Sequence, residues 1–288
     1  MKNTGTEGTH TKAHTCKMTI PAPPHSPHRG DTNYIAHGHE TERNCIDFLG
    51  IKVDNIDAVS LIGRMVEFAS GNIQRTVMYV NAACMLIAEK NPQYRQVLNS
   101  ADIVYPDGIG IVLGARIFGY RLPGRSTAAD FITDLCRACA KADISIFFLG
   151  AKDGIAAQAA QKLMNHIPRL RIVGTHHGYF STGETENIIS MINRSGAKMV
   201  IVGFGAPAQE LWIREYGERL NARCLWGVGG LFDFVSGKTP RGPKWLIDNG
   251  FEWLCRLFVE PRRLWKRYIP GNINFLYTIL KYRLFHGN

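Results

Sequence analysis

Residues 198–230 read KMVIVGFGAPAQELWIREYGERLNARCLWGVGG. Met199–Phe204 is a short apolar run that ends in glycines. Ala208–Leu220 carries apolar residues at helical spacing, and Pro207 suits a helix start. Cys224–Val228 is a second apolar run, closed by a second glycine turn. Strands that are apolar throughout belong to sheets covered on both faces. A strand, a crossover helix and another buried strand form a βαβ unit, and repeated units build a parallel sheet.

The same rhythm extends back to Cys45. Strand-like runs fall at Asp47–Val53, Thr76–Asn81, Ile103–Tyr105, Ile144–Leu149 and Ile172–Thr175. Helical periodicity fits Ala58–Ser70, Ala83–Glu89, Ile109–Gly119, Ala128–Ala140, Gly154–His166 and Glu184–Asn193. The pattern predicts an α/β fold: a Rossmann-like, mostly parallel sheet sandwiched by helices over residues 45–237. Ligands are then expected at the carboxyl ends of the strands.

Both ends depart from this rhythm. Residues 1–44 are rich in Thr, His, Pro and Gly and are expected to be disordered, because they bury too little apolar surface to offset ordering entropy. Their histidines lack the fixed spacing of a metal site. Residues 238–288 read as an appendage of short helices split by Pro243, Pro261 and Pro270.

Charge is concentrated in that appendage. The chain carries a net +10, and residues 238–288 hold ten Lys and Arg against three Asp and Glu. Such localisation favours an anionic partner, either a membrane surface or a phosphorylated ligand. No nucleic-acid-binding signature accompanies it. Trp245, Trp253, Trp265, Phe258 and Phe285 interleave with the basic residues, as in amphipathic segments that lie on a bilayer. The alternative is that the apolar stripe packs on the parent domain or on a second subunit, so a homo-oligomer stays open. No apolar run reaches the ~18 residues of a membrane span, and no apolar signal-peptide segment follows the first Lys.

Seven scattered cysteines suggest a reduced, cytosolic chain rather than a disulfide framework. Cys136 and Cys139 form a C-x-x-C in mid-helix, where two packed thiols are expected rather than a redox pair.

The candidate chemistry lies in strand-end loops. Asp107 follows one strand and precedes a helix, where it can face the ligand crevice as a general base or simply cap the helix. Arg121 and Arg125 lie in the following loop and can hold a diphosphate, or be solvated. Gly119–Ser126 has the spacing of a phosphate-binding loop, but it follows a helix rather than a strand. Gln209 and Glu210 offer hydrogen-bonding groups for sugar hydroxyls. The glycines at 203 and 205, and those at 227, 229 and 230, let a ligand approach the backbone. There is no D-x-D and no clustered His/Asp/Glu set in this region, so arginines are expected to neutralise a leaving group. A G-x-S-x-G, a Cys–His pair and an early G-x-G-x-x-G are also missing, which disfavours hydrolase and dinucleotide-dependent oxidoreductase readings.

Taken in order, ADIVYPDGIG, GRSTAADF, HHGYF, GFGAPAQELWI, GVGGLFDFVSGKTPRGPKWL and GFEWLCRLFVEPRRLWKRY resemble the WecG/TagA/CpsF family of bacterial glycosyltransferases, glycosyltransferase family 26. The resemblance implies a membrane-associated, inverting, metal-independent enzyme at the cytoplasmic face of the inner membrane. It would move N-acetylmannosamine, its uronic acid or glucose from a UDP-sugar to a polyprenyl-diphosphate-linked sugar. Asp107 would be the base, with Asn81, Arg125 and Gln209 at the substrates and Gly227, Gly229 and Gly230 beside the nucleotide. Appendage arginines Arg256 and Arg263, and a third at Lys266 or Arg267, would complete the site. Two departures stand out: Tyr79 where relatives often have Thr, and Ala128 where they often have Gly. A non-catalytic UDP-sugar-binding scaffold is the alternative from another class.

Overall fold

The computed structural model describes residues 43–248, 252–259 and 261–286. The strands are β1 (Cys45–Phe48), β2 (Ile51–Asp54), β3 (Arg75–Val80), β4 (Ile103–Pro106), β5 (Ser145–Gly150), β6 (Arg171–His176), β7 (Met199–Gly203) and β8 (Cys224–Gly227). The helices are α1 (Ala58–Ser70), α2 (Ala82–Lys90), α3 (Pro92–Ser100), α4 (Ile109–Ile117), α5 (Ala128–Lys141), α6 (Ile155–His166), α7 (Thr185–Ser195), α8 (Ala208–Tyr216), α9 (Leu231–Val235), α10 (Lys244–Asp248), α11 (Glu252–Val259) and α12 (Pro261–His286). Six strands form one parallel sheet in the order β4-β3-β8-β7-β5-β6. Helices cover it, so β4, β5, β7 and β8 are buried along their whole length. That burial explains their unbroken apolar runs, and the α/β expectation holds.

The first strand is a correction. Asp47–Val53 is not one strand but a hairpin, β1 antiparallel to β2, in a separate two-stranded sheet. Leu49 and Gly50 both take positive φ, 55° and 78°, and that turn reverses the chain. Helix α3 was not expected either. Asn91 caps it by accepting from the Tyr94 amide at 3.0 Å, and Pro92 opens it.

The N-terminal boundary also shifts. Arg43 donates to both Asp54 carboxylate oxygens, at 2.9 and 2.6 Å, and to the Ala101 carbonyl at 2.8 Å. Asn44 accepts from the Asn55 amide. Arg43 and Asn44 therefore belong to the folded domain. The expectation for the preceding residues, with their histidines and Cys16, lies outside the described residues.

Pro270 does not end a helix as expected: α12 runs through it to His286. Packing on the core holds the part of the helix that follows that position. Phe275 and Ile279 are buried in the same apolar cluster as the sheet residues. Phe275 meets Phe48 edge-on at a ring separation of 6.4 Å, and Tyr282 meets Phe118 at 6.2 Å. The opposite face of α12, including Ile273, Tyr277 and Leu284, stays exposed. The packing reading of the appendage stripe thus holds for one face of α12, and another face stays open.

Gly114 makes that docking possible. A Cβ there would stand 2.7 Å from a Phe48 ring carbon and 2.9 Å from Ile279 Cδ1. A Cβ on Gly110 would meet Phe275 at an ordinary 3.6 Å. Gly114→Ala is expected to lower unfolding free energy by about 1–3 kcal/mol, the usual cost of overpacking. Gly110→Ala is expected to change it by less than about 1 kcal/mol. Urea denaturation of the two variants checks the contrast.

Candidate active site

All six parallel strands end on the same side of the sheet. From β3 the chain passes outward to β4, and it returns to the middle through β7 and β8. A crevice of 1350 Å³ opens over the carboxyl ends where these paths meet. This is the switch-point position where open α/β sheets bind ligands. Its walls include Asn81 after β3, Asp107 after β4, Lys152 after β5, the β7 and β8 glycine loops, and Arg125 at the entry to α5.

Asp107 is fixed by the sheet. Its amide donates to the Val80 carbonyl at 2.8 Å, which extends the β3–β4 ladder by one residue. The helix-cap reading does not hold: Gly108, at φ 99°, occupies the cap of α4, and no side chain bonds there. The carboxylate instead accepts from Asn81 Nδ2, with Oδ2 at 3.4 Å. Asn81 faces two ways, because its Oδ1 also caps α2, accepting from the Ala83 and Cys84 amides at 3.1 and 3.2 Å. One short side chain therefore sets the Asp107 carboxylate relative to a helix start.

Gln209 is placed differently from the expectation that it touches sugar. It is fully buried beneath the crevice floor. Its Oε1 accepts from the Gly205 amide at 3.2 Å and the Gly229 amide at 2.8 Å, tying the β7 loop to the β8 loop. Its Nε2 donates to Glu210 Oε1 at 2.8 Å. Gly227 is likewise buried and lies off the crevice: a Cβ there would stand 2.9 Å from Gln209 Nε2. The glycine makes room for the clamp, not for a nucleotide. Gly229 and Gly230 do line the crevice. Gly229 has φ 60°, and a Cβ there would stand 2.6 Å from the Tyr79 hydroxyl. Tyr79 thus fills the floor beside this loop.

Arg125 lines the crevice and also joins the core to the appendage. It donates to Thr127 Oγ1 at 2.8 Å, to Asp130 at 3.1 Å and to the Ile247 carbonyl of α10 at 2.8 Å. Arg241 reinforces the junction, donating to the Ala129 carbonyl at 3.1 Å and to Asp130 at 2.5 Å. The first turn of α5, Thr127–Ala129, lines the same wall, so the start of a helix and a guanidinium share one region of the crevice. Arg121 lies elsewhere, in a loop pocket beyond α4. Trp253 of α11 and Gly271, Asn272 and Phe275 of α12 form part of the crevice wall. The side chains of Arg256, Arg263, Lys266 and Arg267 lie outside the described residues.

Crevice residues that the sequence reading did not single out include Lys152, Tyr179, Asp233 and Lys238. The signal was present for the first two, since AKDG follows β5 and HGYF follows β6, both at strand ends. Lys238 lies past the glycine loop, 3.4 Å from Asp233. The two C-x-x-C cysteines are fully buried in α5, and burial pushes both thiols up, Cys139 to about 12. They are packed thiols, as expected. Among the described residues no group of three or more His, Cys, Asp or Glu is arranged to hold a metal ion.

The model of the glycosyl transferase WecG/TagA/CpsF family matches residues 46–288. The chain belongs to that family, and it is a glycosyltransferase of cell-surface polysaccharide synthesis.

Glu210 gives the clamp a pH dependence. It is fully buried, and its Oε2 has no hydrogen-bond partner among the described residues. Burial raises its pKa to about 7, against about 4.3 for a free glutamate. The native state thus keeps a proton that the unfolded chain releases. The resulting stabilisation is complete below the unfolded value and is lost as pH rises through 7. Stability of the wild type relative to Glu210→Gln is expected to fall between about pH 4.3 and 7 and then level off. Denaturant titrations across that range measure it, and parallel curves for the two proteins would refute the assignment.

Proposed function

We propose, from family membership and the crevice geometry, that this chain transfers a hexosyl group from a UDP-sugar to a polyprenyl-diphosphate-linked sugar, with inversion and without a metal ion. The observation that carries the reading is Asp107, a carboxylate oriented by Asn81, in the same crevice as Arg125 and the amides that open α5. Asp107 takes the proton of the acceptor hydroxyl as the oxygen attacks the anomeric carbon. The bond from that carbon to the UDP oxygen breaks on the opposite face, so the configuration inverts. The departing diphosphate gathers negative charge, which Arg125 and the first turn of α5 meet with fixed donors. Lys152 adds positive charge to the same crevice. Gln209 acts from below by holding the two glycine loops in register, and Gly229 and Gly230 present backbone at the nucleotide.

The donor sugar is N-acetylmannosamine, its uronic acid or glucose, and Tyr79 and Ala128 shape the space it enters. The enzyme works as a peripheral protein on the cytoplasmic face of the inner membrane. The exposed apolar face of α12 and the basic charge of the last 51 residues support that placement. No helix among the described residues is long and apolar enough to cross a membrane.

A donor screen with a short-chain lipid-diphosphate-sugar acceptor, read by UDP release, tests the reaction. Asp107→Asn is expected to cut kcat by about 10²–10⁴, the usual contribution of a general base, while UDP binding persists. Near-normal turnover would remove Asp107 from the role. Arg125→Lys is expected to cost about 10²-fold or more in kcat, because an ammonium cannot reproduce the guanidinium fork. Turnover is expected to be unchanged by EDTA. UDP binding without transfer to any acceptor would favour a scaffold instead.

A further inference from the structure

Helices α4 and α12 lie side by side and run parallel. Gly110 is beside Phe275, Gly114 beside Ile279 and Phe118 beside Tyr282, so both sequences advance in the same direction along the contact. Each residue of a helix turns the side chain by about 100°. On α4, Leu113 and Ile117 lie one residue before the contact positions. On α12, Leu276 and Leu280 lie one residue after theirs. For parallel right-handed helices those opposite offsets point to the same side of the pair. Leu113 is 49% exposed, Leu276 52% and Leu280 49%, with Ile117 and the following Tyr120 exposed as well. A core helix and an appendage helix therefore share one apolar strip.

The strip has a basic end. Arg116 and Arg121 are exposed where α4 finishes and line a 610 Å³ notch with Tyr120. Arg283, one residue after Tyr282 and so on the strip side, is exposed at the matching end of α12. None of these three cations has an ion-pair partner among the described residues. Apolar side chains flanked by unpaired cations suit a bilayer that carries anionic headgroups. A second copy of the chain would bring the same positive charges to the interface, which disfavours it.

We infer that the core itself binds membrane: α4, through Leu113 and Ile117, inserts beside α12, and Arg116 and Arg121 meet the phosphates of anionic lipids. This rests on the membrane reading of the appendage above and assigns it a second anchor outside the tail. Because Gly108 and Gly110 at the start of α4 line the crevice, as does Phe275 of α12, the docked pair leads from the bilayer to the reaction site. A lipid-linked acceptor can then enter without leaving the surface.

Sedimentation of the full chain with vesicles tests this, using phosphatidylcholine alone and phosphatidylcholine mixed with phosphatidylglycerol. Arg116→Gln with Arg121→Gln is expected to weaken binding to the mixed vesicles by roughly fivefold for each charge removed, with little effect on the neutral ones. Leu113→Ser with Ile117→Ser is expected to weaken binding to both, by about tenfold or more. If both pairs bind like wild type while Leu276→Ser with Leu280→Ser loses binding, the α4 anchor is wrong and the appendage reading stands. Failure of the wild type to bind either vesicle overturns the membrane reading itself. If Leu113→Ser with Ile117→Ser instead abolishes self-association in light scattering and leaves vesicle binding intact, the strip joins two copies of the chain.

Discussion

The buried carboxamide of Gln209 holds the floor of the crevice together. Two strand-end loops, after β7 and β8, turn their amides inward at Gly205 and Gly229, and both point at one oxygen. Left without an acceptor, buried amides would cost about 1–3 kcal/mol each. Gln209 supplies that acceptor from the first turn of α8. Glu210 takes the amide hydrogen on the other side and so fixes which way the carboxamide points. The close approach requires glycine at 227 and 229, since a Cβ would collide with Gln209 or with Tyr79. The crevice surface above inherits its shape from this arrangement.

The same economy recurs at Asn81 and Arg125. Asn81 caps a helix and orients the carboxylate proposed to act as base, so the base is set against backbone rather than against a flexible chain. Arg125 reaches from the crevice wall to a carbonyl of α10. The guanidinium proposed to meet the diphosphate therefore also anchors the appendage. On that proposal, substrate binding and appendage position would be coupled through one side chain.

Helix α12 connects the crevice with the outer surface. One face seals the core through Phe275 and Ile279, while the segment around Gly271 and Asn272 forms crevice wall. The remaining face is apolar and open. With these roles in one helix, the open apolar face, the core and the crevice lie within the reach of a few turns.

The sequence by itself determined the parallel sheet, because strands buried on both faces must be apolar throughout, as Met199–Phe204 and Cys224–Val228 are. It also determined where a crevice would open, because parallel strands all end on one side and Asp107, Asn81 and the glycine turns follow such ends. Tertiary structure decided what those residues touch. Nothing in PAQE distinguishes a glutamine that faces substrate from one that clamps two loops, since the difference lies in contacts with Gly229, twenty residues away. Nor does Pro270 announce that its helix continues: local propensity argues for a break, and the packing of Phe275 and Ile279 against residues some 160 to 230 positions earlier overrides it. Patterns within one element are local and legible. Contacts between distant elements are set only when the chain has folded.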